Sequence, residues 1–264
     1  MTGSGDVGTG GHSHPGGQGQ PSVSYTGGVK PEHLAQTLSE LARTLQLEES
    51  LDDTLTSIVA AAVPTIPGTA FAGLTVVQGK RSVWTRAATH ELARRVDQAQ
   101  YDTGQGPCLD AVFEHRTVRV ADLTRDTRWP DFAGRAAELG VRGMLSFQLY
   151  VEHDNLGALN LYSPEAGTFD DESEQVGLLF AAHAAVAMAG ARREYDLGQA
   201  IGTRDLIGQA KGILMERYRL TADQAFVLLV RTSQHTNVKV SEVARILAET
   251  GELGPEQRRA PAPE

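Results

Sequence analysis

Apolar residues recur at helical spacing along the last quarter of the chain, and this periodicity predicts three helices there. Thr221 and Gln224 have the spacing of a capping box, which starts the second helix. Gly251 follows the third apolar stripe and ends that helix. The C-terminal segment is therefore expected to be a small bundle of three short helices. Its apolar positions are Ile207, Ala210 and Leu214, then Ala225, Leu228 and Leu229, and finally Val240, Val243, Ala244 and Leu247.

The first of these helices carries two glycines, Gly208 and Gly212, on either side of Lys211. Glycine within an exposed helix costs about 1 kcal/mol relative to alanine, so two of them need a compensating reason. The reason we expect is the close approach of another backbone, from a helix or from a nucleic acid. Arg204, Gly208, Lys211 and Met215 follow helical spacing and share one face, separate from the apolar stripe. One face can therefore pack while the other can bind.

A dense run of hydrogen-bond donors, residues 231–239, separates the second helix from the third. It includes Arg231, Ser233, Asn237 and Lys239. A packed core has no use for so many donors, because buried polar groups need partners. We therefore expect this run to form a recognition surface.

From Arg204 to about Leu247 the chain resembles the ANTAR domain, the RNA-binding output module of bacterial transcription antitermination regulators. The resemblance implies a three-helix bundle that binds RNA as a dimer and recognises tandem short stem-loops, whose formation prevents a terminator hairpin. The residues that carry it, in order and with ANTAR-like spacing, are Arg204, the block 207–215, Thr221, Ala225, Ser233, Asn237, Lys239, Val243 and Ala244.

The resemblance also implies which residues meet the RNA. Phosphates, loop bases and 2′-hydroxyls are the groups that such a surface recognises. The candidate RNA-binding residues are Arg204, Lys211 and Arg231 for phosphates or loop bases, Ser233, Asn237 and Lys239 for further hydrogen bonds, and Gly208 and Gly212 for close approach.

The charge distribution agrees with a local RNA site. The whole chain has 24 basic and 33 acidic residues and a net charge of −9, which argues against a protein that coats nucleic acid broadly. Residues 204–245 alone carry seven basic and four acidic residues, a net charge of +3. A weakly basic module on an acidic body favours selective recognition of a shaped RNA over general phosphate binding.

The body of the chain, residues 31–190, combines helical and strand patterns and predicts an α+β domain. Helical leucine stripes occur at Leu34, Leu38, Leu41 and Leu45, and again from Leu51 through Leu55 to Ile58 and Val59. Strands are predicted at residues 71–77, 82–87, 117–121, 145–151 and 156–162, with hairpin turns at residues 78–81 and 153–155. Asp170 or Asp171 is expected to cap a final helix.

Over about 155 residues this body resembles a GAF sensor domain, on the run 104–111 before a short strand and the run 156–161 before residues 169–172. The resemblance implies an antiparallel sheet flanked by helices, with a ligand pocket between sheet and helices. The cofactor stays unknown, because the signature of cyclic-nucleotide-binding members is absent and Cys108 lacks the histidine common near bilin attachment sites. The expected input is an unidentified small molecule or protein.

Two residues of the body have a chemical and a structural interpretation. Cys108 would be a redox sensor if its thiolate were stabilised, but a buried thiol at a helix start is the favoured interpretation. His183 would be a haem ligand in a pocket, but a packed or surface histidine is favoured. No metal site is predicted.

The expected organisation is a disordered glycine-rich tail at 1–30, a GAF-like domain at 31–190, a helical linker at 191–203, an ANTAR domain at 204–253 and a second tail at 254–264. Residues 175–202 are rich in alanine, have no proline and suit helix pairing, while Gly190, Gly198 and Gly202 are either close-contact points or breaks. A homodimer paired here would place two bundles side by side, matching tandem stem-loops by symmetry.

Catalytic and targeting signals are missing from the sequence. We find no phosphate-binding glycine loop, metal-binding His-Glu-x-x-His helix or nucleophile elbow, so the chain is not expected to be an enzyme. No run of 18 apolar residues or signal-peptide pattern occurs, and the single Cys108 excludes an intrachain disulfide. These features predict a cytoplasmic protein that does not span a membrane.

Two other functions stay open. The main alternative is a sensor that acts through protein contacts or dimerisation alone, with the same glycines serving helix packing. DNA binding by a three-helix unit is a third possibility, although no helix-turn-helix signal supports it.

Overall fold

The computed structural model describes residue 1 and residues 31–79, 82–114, 117–152 and 154–253. These residues form an α+β domain followed by a helical C-terminal unit, as the sequence predicted. The predicted tails at residues 2–30 and 254–264 lie outside the described residues. The elements are α1 (Pro31–Gln46), α2 (Leu51–Thr65), β1 (Phe71–Gln78), β2 (Ser82–Ala88), α3 (Glu91–Thr103), α4 (Pro107–Glu114), β3 (Val118–Val120), α5 (Pro130–Glu138), β4 (Gly143–Val151), β5 (Asp154–Ser163), α6 (Asp171–Tyr218), α7 (Ala222–Thr236) and α8 (Val240–Thr250).

The five strands form one antiparallel sheet in the order β2-β1-β5-β4-β3. The pairs β1–β2 and β4–β5 are the two predicted hairpins, and the short β3 closes the far edge against β4. The central pair is β1 with β5, which brings Thr75 opposite Ala158 and Gly73 opposite Asn160. The hairpin positions 80, 81 and 153 lie outside the described residues.

Alternation along the central strands gives the sheet two different faces. Leu145, Phe147 and Leu149 of β4 lie in a core with α1, α2 and α6. Met144 of β4 and Tyr162 of β5 point the other way, into a second core with α3, α4 and α5. Helices therefore cover both faces, and the second face carries the polar side chains that concern the sensor site.

The region between β2 and β4 contains more helix than the sequence predicted. Helices α3 and α5 were missed, and α4 was foreseen only as a helix start at Cys108. In α3 the buried positions include the polar Asp97 and Gln100 beside Ala93 and Val96, which interrupts the apolar stripe on which periodicity depends. Helix α5 has nine residues, too few for a clear period, although Pro130 stands at its start, where proline is tolerated.

Helix α6 runs without interruption for 48 residues and belongs to both parts of the protein. Asp170 caps it in a capping box with Ser173, as predicted, and Arg119 of β3 pairs with Asp171 at 2.8 Å. The expectation of a short first C-terminal helix was wrong, because the predicted linker 191–203 and that helix are parts of α6. Helix formation is cooperative and no proline occurs in this region, so the helix continues through Gly190, Gly198 and Gly202.

Those three glycines are neither breaks nor contact points within the chain. A Cβ atom built on Gly190, Gly198 or Gly202 would meet no other atom within 4 Å. Each therefore costs about 1 kcal/mol of helix propensity without a compensating contact in the described residues.

Helix α6 is also the one candidate membrane span among the described residues, by length and composition alone. The apolar window of the helix is 44% buried within the protein. Its buried residues, including Phe180, Ala184 and Ala185, pack in the sensor core, which accounts for the apolar composition.

Substitution of Gly177 tests how closely α6 packs on the sheet. A Cβ atom there would lie 2.3 Å from Cζ of Phe147, whose ring is fully enclosed, so Gly177→Ala should lower the free energy of unfolding by about 1–3 kcal/mol. Gly202→Ala is the matched control on the same helix and should raise stability by up to about 1 kcal/mol. Urea unfolding followed by circular dichroism measures both, and equal effects would contradict the close contact.

Candidate functional site

The C-terminal unit consists of the end of α6, from residue 204, with α7 and α8. Its core contains the predicted apolar stripes of all three helices, closed by Leu253. The capping box of Thr221 and Gln224 starts α7, and Gly251 ends α8 in the left-handed conformation with φ 73°, both as predicted. Arg217 of α6 donates a hydrogen bond to the Gly251 carbonyl, which fastens the end of α8 to α6.

The α7–α8 turn uses several of the donors that the sequence placed on a recognition surface. Asn237 ends α7 in the left-handed conformation with φ 54°, and its N–H bonds the Ser233 carbonyl. The Ser233 hydroxyl donates to the Val238 carbonyl, and the Thr232 and Thr236 hydroxyls donate to carbonyls one turn earlier. These hydroxyls therefore stabilise the turn, while the exposed Asn237 side chain faces solvent.

Four cations of this unit have no partner within the described part of the chain: Arg204, Lys211, Arg231 and Lys239. Lys211 is half-buried and the other three are exposed. Arg245 differs, because Glu242 and Glu249 both bind its guanidinium at 2.6 Å. The four unpaired cations keep their donors available for an external anion, and phosphate is such an anion.

The path of the chain brings two of these cations, Arg204 and Lys239, toward one end of the unit. Helix α7 folds back along α6 after residue 219, and α8 then runs alongside α6 until Gly251 reaches Arg217. The α7–α8 turn, with Asn237 and Lys239, therefore lies toward the end of the unit at which Arg204 enters. Lys211 and Gly212 lie two turns further along α6.

Gly208 and Gly212 face open space. A Cβ atom on either would meet no other atom within 4 Å, so no backbone among the described residues explains these glycines. The expected close approach of another backbone is therefore not made within the described part of the chain.

The sensor domain holds a second polar site, on the sheet face covered by α3 and α4. The carboxylate of Asp97 in α3 is fully buried and accepts hydrogen bonds from Tyr162, from Thr85 at 2.7 Å and from Asn160 at 3.0 Å. Thr75 joins this cluster through Asn160 at 3.0 Å. Strands β2 and β5 thus supply donors to the carboxylate, and β1 joins the cluster through Thr75.

Burial is the largest influence on Asp97 and raises its pKa to about 6, against the lowering effect of the hydrogen bonds from Tyr162, Thr85 and Asn160 and of Arg94 nearby. The Oδ1 atom of Asn160 lies buried without a partner among the described residues. This cluster is therefore costly to maintain as a purely structural feature.

Cys108 belongs to the same cluster. Its thiol is fully buried and donates to Thr75 at 3.3 Å, and its N–H bonds Gln100 at 2.8 Å. Burial first, and the negative charge of Asp97 second, raise the pKa of the thiol to about 12. The thiolate needed for a redox sensor is thus disfavoured, and the favoured interpretation as a buried thiol at a helix start holds.

A cavity of about 880 Å³ lies beside this cluster, between β2, the end of α3 and α4. Tyr101 borders both, because its ring lines the cavity and its hydroxyl bonds Thr75 at 2.7 Å and Thr85 at 2.9 Å. Gly106 lets α4 start close to α3, since a Cβ atom there would lie 2.3 Å from Oε1 of Gln100. Tyr101 is the side chain that separates the cavity from the buried carboxylate.

Metal ligands are not assembled in either site. Among the residues that the structure describes, no three His, Cys, Asp or Glu side chains are grouped to hold an ion. His183 lies exposed on α6 with its Nδ1 2.8 Å from the Leu179 carbonyl, so it is a surface histidine.

Comparison with known families covers both parts of the chain. The model of the GAF domain matches residues 48–189, just over half of the chain, and the model of the ANTAR domain matches residues 196–247. The chain is a GAF–ANTAR protein. These are regulatory domains, so the protein is a regulator in which a sensor domain precedes an RNA-binding type of output domain.

Solved structures similar to this GAF–ANTAR protein cover its sensor part. The GAF domain of a phosphoenolpyruvate-protein phosphotransferase from Coxiella burnetii is 18% identical over 62% of this chain and 96% of that one, with a TM-score of 0.48. A free methionine-R-sulfoxide reductase from Neisseria meningitidis in complex with its substrate is 15% identical over 66% and 99%, with a TM-score of 0.46. No curated protein matches the chain.

The cluster around Asp97 was missed by the sequence analysis of this GAF–ANTAR protein. Asp97 lies on α3, more than 60 residues before Asn160 and Tyr162 of β5, and no motif links the helix to the strand. The one available signal was Asn160, a polar residue inside the apolar run 156–161. A buried polar residue in a strand of this kind indicates a partner across the core.

Asp97 gives the protein a specific pH dependence. Its folded-state pKa of about 6 exceeds the unfolded value of 3.8, so its stabilising contribution is complete below about pH 4 and is lost as the pH rises past 6. Two pKa units correspond to about 3 kcal/mol. The free energy of unfolding of the wild type relative to Asp97→Asn should therefore fall by about that amount between pH 4 and pH 7.

Urea unfolding at pH 4, 5, 6 and 7 measures this difference. Asp102→Asn removes an exposed carboxyl from the same helix and controls for the loss of one negative charge. A wild-type to Asp97→Asn difference that stayed constant over this range would mean that the folded-state pKa of Asp97 is not raised above its unfolded value.

Proposed function

We propose that this protein is a signal-responsive transcription antitermination regulator that binds tandem stem-loop RNA through its ANTAR domain under the control of its GAF domain. It acts in the cytoplasm, without a catalytic step of its own. RNA binding would hold the nascent transcript in the form that prevents a terminator hairpin.

The observation that carries this proposal is the set of unpaired cations on the ANTAR domain. Arg204, Lys211, Arg231 and Lys239 are the four whose side chains have no protein partner in the described residues. Three of them are exposed, and a surface of this kind binds phosphates while polar neighbours such as Asn237 contact bases or riboses. The unit is small, so it suits a short stem-loop rather than a long duplex.

The input would reach the output through α6. The cavity beside Tyr101 and the cluster around Asp97 are the proposed sensor site, for a small ligand that contacts the tyrosine ring first. A homodimer would present two ANTAR domains to two stem-loops. The domain boundaries that we propose for this organisation are 31–190, 191–203 and 204–253.

A second candidate function is a sensor that acts through protein contacts alone. The exposed apolar side chains of α6, such as Leu197 and Ile201, favour it, because they have no partner within the described chain. In this alternative the unpaired cations would be an ordinary solvated surface.

Charge reversal at Lys211 separates the two candidates. Lys211→Glu should weaken binding of a labelled RNA with two stem-loops in tandem by about tenfold or more, because it removes one phosphate contact and adds repulsion. Fluorescence anisotropy at near-physiological salt measures this, with scrambled RNA and duplex DNA as competitors. If the first RNA binds weakly, selection from RNAs with randomised loops identifies the loop sequence that the protein prefers.

Arg43→Glu is the matched control, because it makes the same charge change at an exposed side chain on α1 of the sensor domain. It should leave the affinity within about twofold, because screening limits distant charges. Equal affinities of wild type and Lys211→Glu would remove Lys211 from the site. Equal affinity for tandem stem-loops and duplex DNA would contradict RNA recognition and favour the protein-contact alternative.

A further inference from the structure

The ANTAR domain has an outer groove between α6 and α7, and the core contacts of α6 show which residues line it. Arg217, three residues after the buried Leu214, bonds the end of α8, so α8 lies on that side of α6. Positions three before and three after a residue point about 60° to opposite sides of it. Helix α7 therefore lies on the side of Lys211, three residues before Leu214, and of Met215, one residue after it.

Helix α7 supplies the second wall of this α6–α7 groove. Two antiparallel helices are related by a two-fold axis across them, so their shared outer groove is lined at equivalent offsets from the two buried stripes. Relative to the buried Leu229, the equivalent residues are Phe226, three before it, and Val230, one after it. Asn237 lies seven residues after Val230 and continues the same line.

Residues at equal distances from the α6–α7 turn face each other across the groove. Counted from residue 220, the facing pairs are Met215 with Phe226, Lys211 with Val230, and Arg204 with Asn237. The groove is thus apolar near the turn and basic and polar at its other end. Asp223, three residues before Phe226, adds a negative charge at the turn end, so an anion is attracted toward Arg204.

The apolar end of the groove is exposed. Phe226, Met215 and Tyr218 are 42%, 37% and 47% exposed, so the described chain does not cover them. A single exposed apolar side chain is ordinary in a folded protein, whereas a ring, a thioether and a second ring in one groove form a patch. Aromatic rings and thioethers are surfaces on which a nucleobase can stack.

The other end of the groove holds donors that the fold leaves unused. Arg204 and Lys211 have no partner in the described residues, and the Asn237 side chain is exposed. Gly208 lies between the two cations on the same line of α6, where an added Cβ would meet nothing within 4 Å. The missing side chain lets an RNA strand pass close to the helix, with a cation on either side for its phosphates.

We propose that the α6–α7 groove binds one unpaired base of the stem-loop RNA, which stacks on Phe226 while Lys211 and Arg204 bind the phosphates beside it. The inference rests on the proposed function, because its ligand is the RNA of that proposal. A paired base is already stacked between its neighbours, whereas a loop base can be splayed out onto an aromatic ring. The groove therefore gives a physical reason for binding stem-loops in preference to duplexes.

Removal of the ring tests the stacking. Phe226→Ala should weaken binding of the labelled tandem stem-loop RNA by about tenfold or more, because a stacked base contributes that much to affinity. Phe226→Trp keeps an aromatic face and should stay within about threefold of the wild type. Fluorescence anisotropy measures the affinities, and circular dichroism shows that each variant is folded.

Val227→Ala is the matched control on the same helix. Val227 is 52% exposed and points 100° away from Phe226, outside the groove. Its substitution removes an exposed apolar side chain of α7 without touching the stacked base, so affinity should stay within about twofold. An equal loss in Val227→Ala and Phe226→Ala would overturn the placement of the base in the groove.

Salt dependence separates stacking from charge. Lys211→Ala should reduce the slope of log affinity against log salt concentration by about one, because one phosphate contact is lost. Phe226→Ala should weaken binding at every salt concentration and leave that slope unchanged. A slope reduced in Phe226→Ala as in Lys211→Ala would overturn the assignment of the ring to a base.

RNAs that lack single loop bases provide the direct test. Each loop nucleotide is replaced in turn, in both stem-loops, by an abasic nucleotide. At one position the replacement should weaken wild-type binding by about tenfold and change binding to Phe226→Ala by less than about twofold, because the stacking partner is already missing. Additive losses at every loop position would overturn the stacking.

The groove and the proposed function fail in different ways. Selective, Lys211-dependent RNA binding with equal affinities for wild type and Phe226→Ala would overturn the base site and leave the RNA-binding regulator intact. A wild type that binds tandem stem-loops no better than scrambled RNA and duplex DNA would overturn the proposed function and, with it, the groove as an RNA site.

Discussion

Helix α6 contributes to two hydrophobic cores at once, and the arrangement of the protein depends on this. Phe180, Ala184 and Met188 pack under the sheet, while Ala210 and Leu214 of the same helix hold α7 and α8. The helix is about 72 Å long at 1.5 Å per residue, and its start is fixed by the capping box. The ANTAR domain is therefore not a module on a flexible tether, because its first helix is the last helix of the sensor domain.

The sheet of the sensor domain has two faces. Helix α6 packs on the apolar face, and the other face carries a buried cluster of polar side chains. The Asp97 carboxylate is buried there with donors from two strands, and Tyr101 both lines a cavity and bonds Thr75 and Thr85 of the same cluster. A buried carboxyl with a raised pKa destabilises the fold near neutral pH, and folds retain such groups chiefly where they do chemical work. Because the two faces are separate, residues of the polar face can be substituted without disturbing the packing of α6 on the apolar face.

Much of this fold follows from local sequence rules, and the exceptions have physical causes. The capping box at Thr221 and the end at Gly251 were predicted because caps are local signals. Helix α3 was missed because its buried face includes Asp97 and Gln100, whose partners lie on distant strands. The unpaired cations are a property of the folded surface, since the sequence cannot show that Arg245 is occupied by Glu242 while Arg231 is not.

The continuity of α6 also fixes an angle between the two domains. Each residue added to a helix rotates the rest of the chain by 100° about the helix axis, so one inserted residue between Met188 and Ala210 would swing the ANTAR domain by about a quarter-turn. Loss of eleven residues would turn it by only about 20° and bring it about 16 Å closer to the sensor. The length of this connection can therefore vary in steps of about eleven residues with little rotation, whereas single-residue changes would turn the ANTAR domain to face another direction.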